Sequence, residues 1–336
     1  MTTLITGGAG FVALNVAEAL LRQGEEVVVF DPAEPWPVAL EAWRTLPGRL
    51  RSVTADVRDP EAIARAVAAS GADAVVHGAA ITSNVERERR AAREIVEVNV
   101  LGTLAVIAAL RRQPVRRLVL LSSVAVYGHV DPDRGPLDEA ETCPRPNSLY
   151  GISKYAAEAC ALRADELEPL NLVIARLGPV FGPWERATGT RDTLSPHLQV
   201  AYLAAGGDTA ILSQAGHGDW LYSRDAAAGV VALLTADRPR HRVYNVGAGR
   251  QWPVTAWCER LAIVFPGFQW RTAAAADEAN VRFQPARERA PLAIERLTAE
   301  FGYRPAFDVD RAFADFDAWL QHTPDALAAG PRGGTT

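Results

Sequence analysis

Short apolar runs alternate with helically spaced stretches along the first two-thirds of the chain. Residues 2–6 and 26–31 (EVVVFD) read as strands, with a helical pattern over 11–23 that closes at Gly24. Strands are predicted at 50–55, 73–77 (DAVVH), 118–122 (LVLLS) and 172–176, those at 26–31 and 50–55 being read as buried. Between them lie helical stretches at 60–70, with Pro60 at its start, at 87–111 and at 150–168. Short apolar strands separated by amphipathic helices predict βαβ units and a parallel sheet covered on both faces. After about Pro179 the rhythm loosens, prolines and glycines multiply, and Trp184, Trp220, Trp252, Trp257 and Trp270 appear. The expected architecture is α/β: a doubly wound parallel sheet (Rossmann) over residues 1–178, then a smaller C-terminal substrate domain over 179–322. That second part is allowed to return to the sheet, and residues 323–336, rich in Ala, Gly, Pro and Thr, are expected to form a flexible tail.

Composition narrows the class. Of 336 residues, 49% are hydrophobic and 22% charged, as in soluble globular proteins. A net charge of -5, with no run of arginines longer than two, gives no footprint for nucleic acid. Cys143, Cys160 and Cys258 lack metal-ligand spacing and are too few for a disulfide framework. A cytoplasmic protein without leader, membrane span or metal is therefore expected.

One count changes the picture. Lys154 is the only lysine beside 34 arginines. It survives a bias that replaces lysine elsewhere, and it lies four residues after Tyr150, so both share a helix face. Lysine is a compact point charge that arginine's planar fork cannot replace. A cation beside a phenol favours the phenolate, so the pair reads as a general acid/base tyrosine tuned by lysine.

A second feature is the turn Gly7-Gly8-Ala9-Gly10-Phe11-Val12-Ala13, between the first strand and first helix. It lets a pyrophosphate approach the backbone and meet the helix N-terminus. Asp31 ends the second strand, where a carboxylate accepts from a ribose diol, and no arginine follows it closely to hold a 2′-phosphate, so NAD is favoured over NADP. Asp56 and Val57 end the third strand, where an adenine would lie.

Together these residues resemble the extended short-chain dehydrogenases/reductases of the NAD-dependent epimerase/dehydratase group, over roughly residues 1–320. Further marks are Val76-His77-Gly78-Ala79-Ala80, Asn99 within Val98-Asn99-Val100, Ser122-Ser123-Val124-Ala125-Val126-Tyr127-Gly128, Tyr150-x-x-x-Lys154, and Arg176 with Gly182-Pro183. The resemblance implies a homodimer that oxidises and reduces a secondary alcohol of a sugar. It makes Tyr150 the acid/base, Lys154 its partner and ribose anchor, and Ser123 the hydroxyl that orients the substrate oxygen. It sets NAD against Gly7, Gly10, Phe11, Val12, Asp31, Asp56, Val57, Ala79, Ala80, Asn99, Tyr150 and Lys154. Substrate would meet Thr82, Ser83, Ser123, Tyr150 and Arg287, with Arg289 close by.

Departures from the family pattern sharpen the expectation. Dehydratases carry Asp-Glu after the catalytic Ser/Thr, and decarboxylating relatives a Glu at the second position; here Val124 and Ala125 stand there. UDP-sugar epimerases hold diphosphate with an asparagine where this chain has Pro179, and with an arginine where it has Gly218. The leading expectation is NAD-dependent dehydrogenation or epimerisation of a non-nucleotide sugar, sugar acid or sugar phosphate. A UDP-sugar 4-epimerase is the alternative enzyme, and a non-catalytic NAD-sensing or scaffold protein the alternative of another class; the intact Ser123, Tyr150 and Lys154 argue against the latter. His197 and His217 read as structural or surface groups, and the Arg87–Arg93 cluster as a solvated helix face.

Overall fold

The computed structural model describes residues 1–275, 278–283 and 288–327. Its first half runs β1 (Thr2–Thr6), α1 (Phe11–Arg22), β2 (Glu26–Asp31), α2 (Pro37–Trp43), β3 (Arg49–Thr54), α3 (Pro60–Ser70), β4 (Ala74–His77), α4 (Val85–Val96), α5 (Gly102–Arg112), β5 (Arg117–Ser123), α6 (Leu149–Leu167) and β6 (Leu172–Leu177). The remainder comprises β7 (Val180–Phe181), α7 (Pro196–Gly206), β8 (Ala210–Leu212), β9 (His217–Gly218), β10 (Leu221–Tyr222), α8 (Ser223–Thr235), β11 (Val243–Val246), β12 (Trp252–Pro253), α9 (Val254–Val264), β13 (Trp270–Thr272), α10 (Glu295–Phe301) and α11 (Val309–His322).

Seven parallel strands form one sheet in the order β11-β6-β5-β4-β1-β2-β3. The order reverses at β1/β4, and the carboxyl ends there open the crevice where such sheets bind ligands. Alternation along each strand feeds two cores. Ile5, Val27, Val29, Val76, Val119 and Val173 pack on the α1/α8 side. Leu4, Val28, Phe30, Val75, Leu118 and Leu172 pack on the α3/α5/α6 side. Each such side chain contributes roughly 1.5–3 kcal/mol on burial, so a one-residue slip in register would exchange the two cores.

The expected return to the sheet is β11, paired with β6 from Val243–Ile174 to Val246–Leu177. Several expectations need correction. The strand at 50–55 is not buried, because β3 is the sheet edge and four of its six residues are exposed. The stretch 87–111 is not one helix: Ala91 is non-helical inside α4, and a π turn over Glu97–Leu101 separates α4 from α5. Helix α2 has no counterpart in the sequence reading; its buried face is only Ala39 and Trp43. Thr323 and Ala326, assigned to the tail, are buried in a short turn after α11, and residues 328–336 lie outside the described ones. Among the described residues no helix is long and apolar enough to cross a membrane.

Candidate active site

A cleft of about 410 Å³ opens at the carboxyl ends of β1, β4, β5 and β6. Gly7, Gly10, Phe11 and Val12 form one wall, Ser123, Tyr150 and Lys154 the floor, and Arg186, Arg191 and Trp220 the far side. The glycine turn is made for close approach. Gly7 has φ +68, and a Cβ there would lie 2.6 Å from Ala79. Gly10 precedes α1 with no side-chain cap and no acidic residue in its first turn, and Phe11, Val12 and Ala13 of that turn line the cleft.

Helix α6 carries the chemistry. Ser148 caps it by accepting from the Gly151 amide at 3.1 Å, and Glu88 of α4 accepts from the Leu149 amide at 2.8 Å. Tyr150, Lys154 and Glu158 then recur at four-residue intervals on the buried side. Burial pushes the pKa of the Tyr150 phenol above the usual value, while the Ser123 and Thr82 side chains and the charge of Arg191 pull it back. Arg191, which the sequence reading does not anticipate, is a cation whose charge reaches the phenol.

Lys154 is itself only 3% exposed. Burial pushes its pKa down to about 8, opposed by the Glu158 carboxylate. Glu158 forms a bidentate pair with Arg176 of β6, with bonds of 3.0 and 2.7 Å. Arg176 also donates to the Tyr127 hydroxyl at 2.9 Å, which donates to Asn245 of β11 at 2.9 Å. The lysine thus rests on a chain of paired groups reaching the seventh strand. Glu158 was not anticipated; its signal was the second four-residue step after Tyr150.

His77 lies under the site and takes no part in it. Its Nδ1 meets Thr6 at 2.7 Å and its Nε2 meets Thr103 at 2.9 Å. Burial, then the charge of Lys154, pushes its pKa to about 3, so the ring is neutral.

Among the residues expected around NAD, Ala80 lines the cleft and Ala79 backs Gly7. Asp31 accepts from the Ala33 and Ala9 amides at 2.9 and 3.3 Å; burial raises its pKa, against those bonds and the charge of Arg186. Asp56 is engaged by the Arg58 guanidinium at 2.5 Å, and Val57 packs against Gly102. Asn99 is 1% exposed and does not line the cleft. Its amide exchanges bonds with the Ile81 backbone, 2.7 and 3.1 Å, and donates to Ser153 at 2.9 Å. It ties the loop after β4 to α6, because every donor and acceptor of a buried amide must be paired locally.

On the substrate side, Thr82 and Ser83 both line the cleft, and Ser83 donates to Glu88 at 3.4 Å. Arg287 lies outside the described residues. Arg289 is held at the cleft with its Nε buried and unpartnered, and burial alone pushes its pKa down to about 10. Beside it the Trp220 ring covers Gly218: a Cβ there would lie 2.8 Å from the indole, whose Nε1 donates to the Gly216 carbonyl at 3.0 Å. Trp220 in turn meets His197 edge-on, centroids 4.9 Å apart, and His197 stacks on Phe181 at 4.0 Å. The Arg87–Arg93 stretch is not wholly solvated, since Arg87 is paired with Asp192 at 2.8 Å. Among the described residues no group of three or more His, Cys, Asp or Glu could hold a metal ion.

Comparison with known proteins identifies the family. A profile of the NAD dependent epimerase/dehydratase family matches residues 3–247. The chain is 31% identical to a dTDP-glucose 4,6-dehydratase of Streptomyces griseus, over 95% of this chain and 94% of that one. It is 26% identical to a dTDP-L-rhamnose 4-epimerase of Burkholderia thailandensis, over 96% and 95%. The structure of the Bordetella bronchiseptica enzyme WbmG in complex with NAD superposes with a TM-score of 0.74, covering 96% of this chain and 94% of that one at 26% identity.

Proposed function

The chain belongs to the NAD-dependent epimerase/dehydratase family, and from that premise we propose that it oxidises and reduces a secondary alcohol of a sugar-like substrate, with Tyr150 as acid/base. The observation that carries the reading is that Ser123, Tyr150 and the buried Lys154, one helical turn after Tyr150 on α6, line the cleft that the glycine turn opens. NAD is the family's cofactor, and the residues present fit it: the Gly7 cradle, the uncapped amides of α1 and the Asp31 carboxylate. When bound, its nicotinamide accepts and returns hydride.

The protein's part is geometry and one proton. Ser123 holds the substrate oxygen, Tyr150 takes the hydroxyl proton as the carbinol becomes a carbonyl, and Lys154 keeps a positive charge under the phenol. Glu158 and Arg176 hold that charge in place. Thr82, set by its backbone bonds to Thr190 and Asp192, fixes the phenol from the other side. The two residues after Ser123 are apolar, Val124 being 6% exposed, so no second acid/base stands where a dehydratase would need one. On that ground we read the net reaction as dehydrogenation or epimerisation, against several relatives that are named dTDP-glucose 4,6-dehydratases.

For the substrate, Arg289 offers one buried cation, while Trp220 fills the space over Gly218 and Pro179 offers no N–H. These favour a compact anionic sugar: a sugar acid or sugar phosphate. A nucleotide-sugar 4-epimerase, including the UDP-sugar type, is the second reading, supported by relatives named as 4-epimerases of nucleotide sugars. Absorbance at the NADH band, read against free sugars, sugar acids, sugar phosphates and sugar nucleotides, tests the whole proposal. Stoichiometric NADH marks a dehydrogenase and isomerised product without net NADH an epimerase; micromolar binding of UDP alone would promote the second reading. Silence across the panel would return the chain to a non-catalytic NAD-binding role.

Homodimerisation is proposed on a patch shared by α5 and α6. Leu101, Leu104, Ile152 and Tyr155 are 51, 40, 48 and 39% exposed on neighbouring elements. Light scattering at the mass of one chain would dismiss it.

A further inference from the structure

The segment between β7 and α7 crosses the mouth of the cleft and is fastened along its length. Trp184 is 1% exposed and packs edge-on against Trp36, Trp43 and Trp319. Glu185 accepts from the Ser195 amide and hydroxyl at 2.7 and 2.5 Å. Thr82 and Asp192 join the middle to the loop after β4, and Arg87 adds its pair with Asp192. This strap brings two arginines to the cleft that the glycine turn lines, from a place 155 residues and more along the chain from Asp31.

Arg186 lies over the Trp36 ring at 5.5 Å and its charge acts on Asp31. It forms no hydrogen bond or ion pair with the described residues, yet its Nε is buried. Arg191 lies over the Phe11 ring at 5.3 Å and spends one nitrogen on Glu185 at 2.7 Å. Its Nε is also buried without a partner. Asp31 and Phe11 bracket the turn: one stands at the ribose side, the other begins α1. Burying a guanidinium nitrogen unpaired is unfavourable, so two of them over one turn mark a place for an anion. The uncapped start of α1 supplies only about half a positive charge, and a dinucleotide diphosphate carries two negative ones.

We propose that Arg186 and Arg191 hold the diphosphate of the dinucleotide from the side opposite α1, so that residues 184–195 form a basic clasp on the cofactor. The inference does not depend on the role of Tyr150. An anionic group on the sugar could reach the same guanidiniums, and the experiment separates the two sources. Calorimetric titration of the full chain with NAD, and with ADP, which keeps the diphosphate but lacks nicotinamide, is run at low and high salt. Arg186→Met and Arg191→Met should each weaken both ligands by about tenfold or more, the scale of a charge-assisted hydrogen bond, and should flatten the salt dependence. Arg186→Met breaks no hydrogen bond or ion pair among the described residues, and methionine can still pack on the Trp36 ring, so it should melt with the wild type and serves as the variant free of folding effects. NAD and ADP affinities within about twofold of wild type for Arg186→Met, or for a folded Arg191→Met, would overturn the proposal. So would loss of sugar-acid affinity alone, which would assign the guanidiniums to the substrate.

Discussion

Arg176 and Arg289 are both guanidiniums taken out of water, and the fold treats them differently. Arg176, on β6, has Glu158 in bidentate contact and a Tyr127 hydroxyl besides. Burial works against its charge, but the carboxylate holds its pKa above the usual arginine value. Arg289, at the rim of the cleft, has a buried Nε with no partner, and burial holds its pKa down. The strap arginines belong with Arg289. Under α6 the charges are matched within the protein and fix a geometry; around the mouth they are half-matched and await a ligand. The two regions should therefore fail in different ways when altered.

The largest effect should come from the column. Tyr150→Phe removes the oxygen proposed to transfer the proton, so turnover should fall by ~10²–10⁴ while NAD affinity largely holds. A variant within a few-fold of wild type would break the comparison at its root. Glu158→Leu should be the largest loss of stability. It leaves Arg176 buried and unpaired, at a cost of about 3–5 kcal/mol in denaturant unfolding. An effect near zero would mean the pair is not a structural unit.

How much of this was legible in the sequence follows the same division. The sheet and the Tyr150–Lys154 pair are written in local spacing: period two for strands, four-residue steps for α6. The glycine turn is local too. Arg186, Arg191 and Glu185 could not be read, since their neighbours Asp31, Phe11 and Tyr150 are distant in sequence and only the strap's path joins them. Asn99 is given to the cofactor by the family resemblance; its bonds to Ile81 and Ser153 are tertiary facts. The absence of an arginine after Asp31 was correctly read as sequence, but space supplies Arg186.

Lys154 sharpens the comparison, because it is a column charge that the fold tolerates rather than favours. Its pKa is pushed from 10.5 to about 8 by burial. The folded state thus binds fewer protons than the unfolded one between about pH 8 and 10.5, and wild-type stability should rise with pH through that window. Below it the buried ammonium costs on the order of 3 kcal/mol. Lys154→Met should therefore melt above wild type at pH 7, with the gap closing as pH approaches 10.5, although its activity is lost. A gap independent of pH would show that the lysine is not desolvated as the fold implies.

Arg289→Met should give the smallest change, and the most diagnostic. No carboxylate is left behind, since among the described residues none is paired with this guanidinium, so stability should stay within about 0.5 kcal/mol of wild type or rise slightly. What changes is the substrate. Losing one charge-assisted contact to an anionic sugar should raise KM about tenfold, with kcat held, because the contact is the same in ground and transition states. Neutral sugars, if turned over, should be indifferent to the substitution. An equal loss of kcat would place Arg289 with the column. Unchanged KM toward every anionic substrate would leave its buried Nε serving only the local packing around Trp220, and the rim would then have no cation of its own for the sugar.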